Sequence, residues 1–257
     1  MLSKSKIKLI KSLDSKKGRE ETGLFVVEGG KSVLDLIDAF GCELVAADPG
    51  WLSANAVRLG SCRELVEASH DEIRKASLLK NPQDVIALFR KRPANDGVCI
   101  GQLSGLTLFL DNVQDPGNLG TIIRVADWFG IVHLFCSEGS ADVYNPKVVQ
   151  ATMGSLARVN VHYCAAKEFF PALPESMKVF GTFMDGDNVY GSELPDDAVI
   201  VMGNEGNGIS AETQCFIGER LSIPLSPHDG SRPESLNVAM ATAIVCSEFR
   251  RRMLKAI

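Results

Sequence analysis

The spacing of apolar and polar residues changes rhythm several times along the first half of the chain. Between residues 4 and 13, Ile7, Ile10 and Leu13 recur at helical spacing among lysines, which predicts an amphipathic helix. LFVVEG (24–29) predicts a strand, residues 31–40 a helix and CELVAA (42–47) a second strand. Ser69 and Glu72 have the spacing of a capping box, so a helix is expected to open there and run to about Leu79, where Asn81-Pro82 stops it. VIALF (85–89) predicts a further strand. KRPANDGVCIGQLSG (91–105), rich in Pro, Gly and polar residues, has the character of a linker, giving expected domains at 1–97 and 98–257.

The second half carries nearly continuous apolar runs: LTLFLD (106–111), VHLFC (132–136), VFGTFM (179–184) and AVIVMG (198–203). Strands buried on both faces have this pattern, so the expected architecture is α/β, a mostly parallel sheet covered by helices. A closing helix is predicted from about Ser235 to Lys255. Ligand sites in such sheets lie at the carboxyl ends of strands, and the unusual polar residues fall there.

Composition narrows the choice. At 257 residues, the chain exceeds a usual single domain of roughly 100–200 residues, which favours two. With 45% hydrophobic and 23% charged residues it is globular rather than disordered. No apolar run approaches the ~18 residues of a membrane span. The basic N-terminus lacks the apolar core of a secretory signal. Seven cysteines with no C-x-x-C pair, and four histidines not spaced with them, argue against a zinc site or a disulfide framework. Buried thiols in a reducing cytoplasm are expected instead. The net charge of −5 is uneven: residues 1–20 carry +5 and the last eleven +3, on a middle of −13. A basic RNA-binding arm on an acidic body has this distribution, and so do two solvated helix faces.

Three loops hold the candidate chemistry. The first, Asp111 to Gly120, has the turn signal Pro116-Gly117, Asn118 as a candidate helix cap and Arg124 in the helix's expected second turn. A helix N-terminus with a guanidinium suits a phosphate, although an ordinary capped helix explains the same residues. The second, Gly203 to Gly208 (GNEGNG), permits close backbone approach to a ligand. Its spacing is neither a dinucleotide fingerprint nor a P-loop, and Glu205 would repel a phosphate. The third runs from Ile223-Pro224-Leu225 through SPHDGSRPE to Ser235-Leu236-Asn237-Val238, with Ser235 as a candidate cap.

Together the loops resemble the three motifs of the SpoU (TrmH) family of RNA ribose 2′-O-methyltransferases, within the SPOUT superfamily. N-x-G-x-x-x-R matches at Asn118, Gly120 and Arg124; G-N-E-G-x-G at Gly203 to Gly208; I-P-L…S-L-N-V at Ile223 to Leu225 and Ser235 to Val238. The resemblance covers about residues 105–257, departing only in the length of SPHDGSRPE. The first half is similar to the small substrate-binding domain that precedes many SpoU domains and resembles an RNA-binding ribosomal-protein fold. That similarity rests on F-V-V-E-G, with Glu28 and Gly29.

The resemblance implies an α/β sheet ending in a C-terminal trefoil knot, S-adenosylmethionine as cofactor, no metal, a homodimer formed through the knot region, and RNA as partner, ribosomal before transfer RNA. It places the cofactor at Thr182, Gly186, Gly203, Ile223, Leu225 and Leu236. Arg124 is the family's base by resemblance, yet guanidinium stays protonated in proteins, so holding the adjacent phosphate is an equal role. Asn118, Ser235 and Asn237 are expected to orient ribose and backbone, and Glu205 to brace the loops. The alternatives are a non-catalytic RNA-binding or ribosome-assembly protein that kept the fold, and a Rossmann-like nucleotide-binding enzyme, which the glycine spacing disfavours.

Overall fold

The structure, a computed structural model, describes residues 1–93, 98–226 and 235–254. The middle of the 91–105 linker, residues 227–234 of the polar excursion and Lys255 lie outside the described residues. The chain forms two compact units. The first holds Met1–Pro93 and takes Asp142–Arg158 from the second half of the sequence; the second holds the remainder.

In chain order the first unit has α1 (Lys4–Ser12), α2 (Lys16–Thr22), β1 (Leu24–Glu28), α3 (Gly30–Leu36), β2 (Cys42–Ala47), α4 (Pro49–Ala54), β3 (Leu65–Glu67), α5 (His70–Ala76) and β4 (Ile86–Arg90). Its sheet runs β1-β4-β2-β3, antiparallel except for the β2–β3 pair. Alternation along the strands sends Val26, Leu44, Ala46, Ile86 and Leu88 to one face, where Ile10 of the first helix, Leu13 at its C-cap and Ile73 from the fifth pack on them. On the opposite face Phe25 meets Phe40, Phe89 and Tyr144 at 4.8–5.9 Å between rings. Arg19, 2% exposed, holds Asp142 through its Nε (3.0 Å) and Nη2 (2.7 Å), and donates through Nη1 to the Leu13 and Asp14 carbonyls. A buried guanidinium needs these partners, and meeting them ties residues 142–158 to the N-terminal helices.

The capping box forms as expected: Ser69 accepts from Glu72 N, and Glu72 Oε2 accepts from Ser69 N at 2.9 Å. The helix stops at Ala76, short of Leu79, because buried Glu28 takes the next donors, Ser77 Oγ at 2.6 Å and Leu78 N at 2.7 Å.

The second half adds β5 (Leu106–Leu110), α6 (Pro116–Trp128), β6 (His133–Cys136), α7 (Pro146–Thr152, in the first unit), β7 (Asn160–Tyr163), α8 (Ala166–Phe169), β8 (Lys178–Asn188), β9 (Ala198–Met202), α9 (Ala211–Gln214), β10 (Glu219–Ser222) and α10 (Val238–Leu254). Its six-stranded sheet, ordered β10-β8-β9-β5-β6-β7, is parallel at every pairing. Every residue of β5 and β9 is buried, as their nearly continuous apolar runs require. The chain leaves β5 towards β6, while β9 lies on its other side. The strand order therefore reverses there and opens a crevice at the carboxyl ends of β5 and β9. Among the described residues no helix is long and apolar enough to cross a membrane.

Helices α6 and α10 lie alongside each other. Arg250 Nε donates to the Phe129 carbonyl at 2.7 Å, placing a cation at the negative end of α6. Near the end of α10, buried Glu248 accepts from Arg251 Nη2 (2.6 Å) and Arg252 Nε (2.9 Å), and Arg252 Nη2 reaches the Tyr190 carbonyl at 2.6 Å. The arginines hold the Glu248 carboxyl down to about 2. Its folded pKa lies below the unfolded value of about 4.3, so its ionisation stabilises the fold at neutral pH. That contribution is lost as pH falls through about 2. Glu248→Gln is expected to melt below the parent at pH 7, with the gap closing as the pH is lowered from about 5 towards 2. Thermal melts across that range check this; a gap independent of pH contradicts it.

Candidate active site

Loops after β5, β9 and β10 meet at the reversal point. After β5, Asp111 is buried and accepts from Ser210 N at 2.7 Å through Oδ2 and from Asn112 Nδ2 at 3.0 Å through Oδ1. Asn112 takes a left-handed φ of 56° and offers its carbonyl to Asn204 Nδ2 at 2.8 Å. Helix α6 is capped by Asp115, which accepts from Asn118 N at 2.8 Å, rather than by Asn118. Pro116 occupies the first helical position, where its missing N–H costs nothing, and this makes Asn118 the third residue of the helix rather than its cap. Arg124 accordingly falls in the third turn, not the second.

After β9, Asn204 folds the glycine loop upon itself. Its backbone exchanges two 2.9 Å hydrogen bonds with Gly208, and its Oδ1 accepts from Gly206 N (2.9 Å) and Asn207 N (3.1 Å). Gly208 sits at φ 66°. A Cβ at Gly203 would strike the backbone of Gly208 and Ile209, 2.5 Å from the Ile209 nitrogen. Gly203 is therefore required by the loop's own closure, before any ligand is considered. At the start of α10 the cap is Asn237, whose Oδ1 accepts from Ala239 N (3.1 Å) and Met240 N (3.3 Å); Ser235 precedes the helix and does not cap it.

These placements free the side chains of Asn118 and Asn237 to meet Glu205. Its Oε1 accepts from Asn118 Nδ2 (2.9 Å), Asn237 Nδ2 (2.6 Å) and Val238 N (3.2 Å), and Asn237 Nδ2 also reaches Asn118 Oδ1 at 2.9 Å. Behind this triangle lies a cavity of about 570 Å³. Thr182, Met202, the glycine loop, Ile223 to Leu225, Ser235, Leu236 and the inner face of α10 line it, and Glu205 is its one charged group among the described residues. Its size suits a small organic ligand, and a wall with no cationic side chain among the described residues suits one without phosphates.

Residues 105–247 match the SpoU rRNA methylase family, over half of the chain. The chain belongs to that family. Residues 4–87 match the MRM3-like substrate binding domain. The 23S rRNA (guanosine(2553)-2′-O)-methyltransferase RlmP of Bacillus subtilis is 29% identical over 95% of this chain and 96% of its own length. A putative RNA methyltransferase of the TrmH family from Porphyromonas gingivalis superposes with a TM-score of 0.87 at 41% identity, covering 98% of this chain and 99% of its own. An AdoMet-bound rRNA methyltransferase from Sinorhizobium meliloti gives 0.86 at 29%, covering 98% and 97%.

Of the six positions expected to hold the cofactor, Thr182, Gly203, Ile223, Leu225 and Leu236 line the cavity. Gly186 is not among its lining residues: a Cβ there would lie 2.5 Å from the Leu221 carbonyl carbon, so its glycine serves the close approach of β8 to β10. Asn118, Glu205 and Asn237 are brought together, and Ser235 lines the cavity beside Leu236. Arg124 stands apart. Six residues past Asn118, it leaves α6 roughly 120° around the helix from it. It is exposed, with no hydrogen bond or ion pair among the described residues. Asp111, Asn112 and Asn204 fall within the candidate loops but were given no role from sequence; they fasten the glycine loop to the end of β5. For Asp111 and Asn112 the signal was an acid and an amide at the end of a nearly apolar strand.

Gly203→Ala is expected to destabilise by about 1–3 kcal/mol, because the loop must shift to admit the methyl group. Gly206→Ala, whose Cβ would meet nothing nearer than Asn204 Oδ1 at 3.6 Å, should stay within about 0.5 kcal/mol of the parent. Denaturant unfolding of both variants checks the contrast, and equal stabilities would contradict this account of the loop.

Proposed function

We propose that the chain transfers the methyl group of S-adenosylmethionine to a ribose 2′-hydroxyl of RNA, ribosomal RNA before transfer RNA. The observation that carries this is the junction of Asn118 and Asn237 on Glu205, the one charged residue in the wall of a glycine-rich cavity among the described residues. When bound, the cofactor supplies an electrophilic methyl on a sulfonium. The glycine loop, Thr182, Ile223, Leu225 and Leu236 hold its uncharged adenosine, and Glu205 supplies the one negative charge facing a cationic ligand. Thr182 Oγ1 is committed to the Val201 carbonyl at 3.1 Å, so it shapes the wall while the loop's backbone groups remain to recognise polar atoms.

The 2′-hydroxyl is a poor nucleophile, and its proton must pass to water as the O–C bond forms. Glu205 is fully engaged at Oε1 in bracing the loops. Arg124, exposed and unengaged among the described residues, holds the adjacent phosphate and offsets the charge developing on the ribose oxygen. Asn118 and Asn237 fix the ribose against the cavity, with Ser235 beside them. The α1 lysines of the first unit give RNA a basic surface.

The active form is a homodimer in the cytoplasm. Trp128, 85% exposed on α6, and Met240, 59% exposed on α10, present large apolar groups on neighbouring helices. Light scattering at micromolar concentration is expected to give twice the 27.8 kDa chain mass; a stable monomer contradicts the dimer.

Arg124→Ala is expected to abolish methylation while calorimetric titration shows S-adenosylmethionine affinity unchanged. Arg124→Lys keeps the charge without the planar fork and should retain a reduced rate that is flat with pH. A rate that climbs as the lysine amine deprotonates would instead make position 124 the base. Near-normal turnover by the alanine variant would remove Arg124 from the site altogether.

A further inference from the structure

Away from the cavity, in the first unit, two thiols face one another. Cys42 opens β2, and Cys62 ends the turn Arg58–Ser61 that leads into β3. The backbone clasps the two segments: Arg63 N donates to the Cys42 carbonyl at 3.0 Å, and Val45 N to the Glu64 carbonyl at 2.9 Å. Held this way, the Cys42 thiol donates to Cys62 Sγ at 3.0 Å. Bridging two cysteines requires side chains that converge without backbone movement, and this pair converges.

We propose that Cys42 and Cys62 form an oxidation site that closes to an intramolecular disulfide in the presence of a hydroperoxide. The two thiols are unequally placed for the reaction. Cys42 is buried, whereas Cys62 is half-buried, within reach of a small oxidant. The Cys42 hydrogen bond also pulls the Cys62 thiol down to about 7, while burial pushes Cys164 up to about 11 and Cys246 to about 12. Neighbouring Glu43 disfavours a thiolate, but Arg90 and Arg63 both pair with its carboxylate.

The Cys62 thiolate sulfur attacks the peroxide O–O bond. It becomes a sulfenic acid, and the departing oxygen takes a proton to leave as water or an alcohol. The Cys42 sulfur then displaces the sulfenic oxygen, which leaves as water with the Cys42 thiol proton, and the Sγ–Sγ bond forms. Two thiols lose two electrons in all, and one hydroperoxide is reduced. The residues read as ordinary buried thiols thus include one pair with a reaction of its own.

The test treats the reduced full-length chain with equimolar hydrogen peroxide and follows it by intact mass and peptide mapping. The expected result is the loss of two hydrogens, with a Cys42–Cys62 link that dithiothreitol reverses. In Cys42→Ser the sulfenic acid at Cys62 should persist and be captured by dimedone; in Cys62→Ser no link should form. Oxidation confined to exposed Cys99 and Cys215, or Cys62 of the parent accumulating as sulfinic acid without a link, would overturn the proposal.

Discussion

Glu205 Oε1 accepts from Asn118, Asn237 and the amide of Val238, and so gives three loops one fixed point. Asn118 and Glu205 are 87 residues apart in sequence, and Asn118 and Asn237 are 119 apart. A charged acceptor shared by three donors is stronger than neutral bonds of the same number. It fixes the N-termini of α6 and α10 against the glycine loop, and the cavity wall follows from that arrangement. The two capping choices are part of the same construction. With Asp115 capping α6, Asn118 is released to bind Glu205; with Asn237 capping α10 through Oδ1, its Nδ2 is free to do likewise.

The sheet explains why this happens at one place. Strands β5 and β9 are wholly buried and parallel, and their carboxyl ends abut where the strand order reverses. Any loops leaving those ends must share a crevice. Asp111 closes it from below by holding Ser210, and Asn112 anchors Asn204. The glycine loop is thus preorganised from two sides, which favours binding because little ordering remains when a ligand enters. Arg124 lies outside this framework, exposed on α6.

Much of the fold was legible where burial alone dictates residue type. The runs at 106–111, 132–136 and 198–203 became strands to within a residue or so, because both of their faces are covered. Edge strand β1 was legible from LFVVE, but the short edge strands β3 and β10 were not. In β10 only Leu221 is buried, and in β3 only Val66, so neither shows a periodicity that outweighs its polar neighbours. Helix α2, KKGREET, has no apolar face; buried Arg19 anchors it through polar bonds that hydrophobic patterning cannot reveal. The return of residues 142–158 to the first unit rests on that same arginine. At the site, resemblance pointed to Asn118, Glu205 and Asn237, but the caps were misassigned because Asp, Asn and Ser compete for the same position. Pro116 was the clue that favoured Asp115.

The central claim is that this junction of loops serves methyl transfer to a ribose oxygen. It is tested most directly by supplying labelled S-adenosylmethionine and unmodified ribosomal RNA, then digesting the product to nucleosides. The account predicts label in a 2′-O-methylated nucleoside, with the adjoining 3′ phosphodiester resistant to alkali. Label in a methylated base, or cofactor binding with no transfer to ribosomal or transfer RNA, would contradict it.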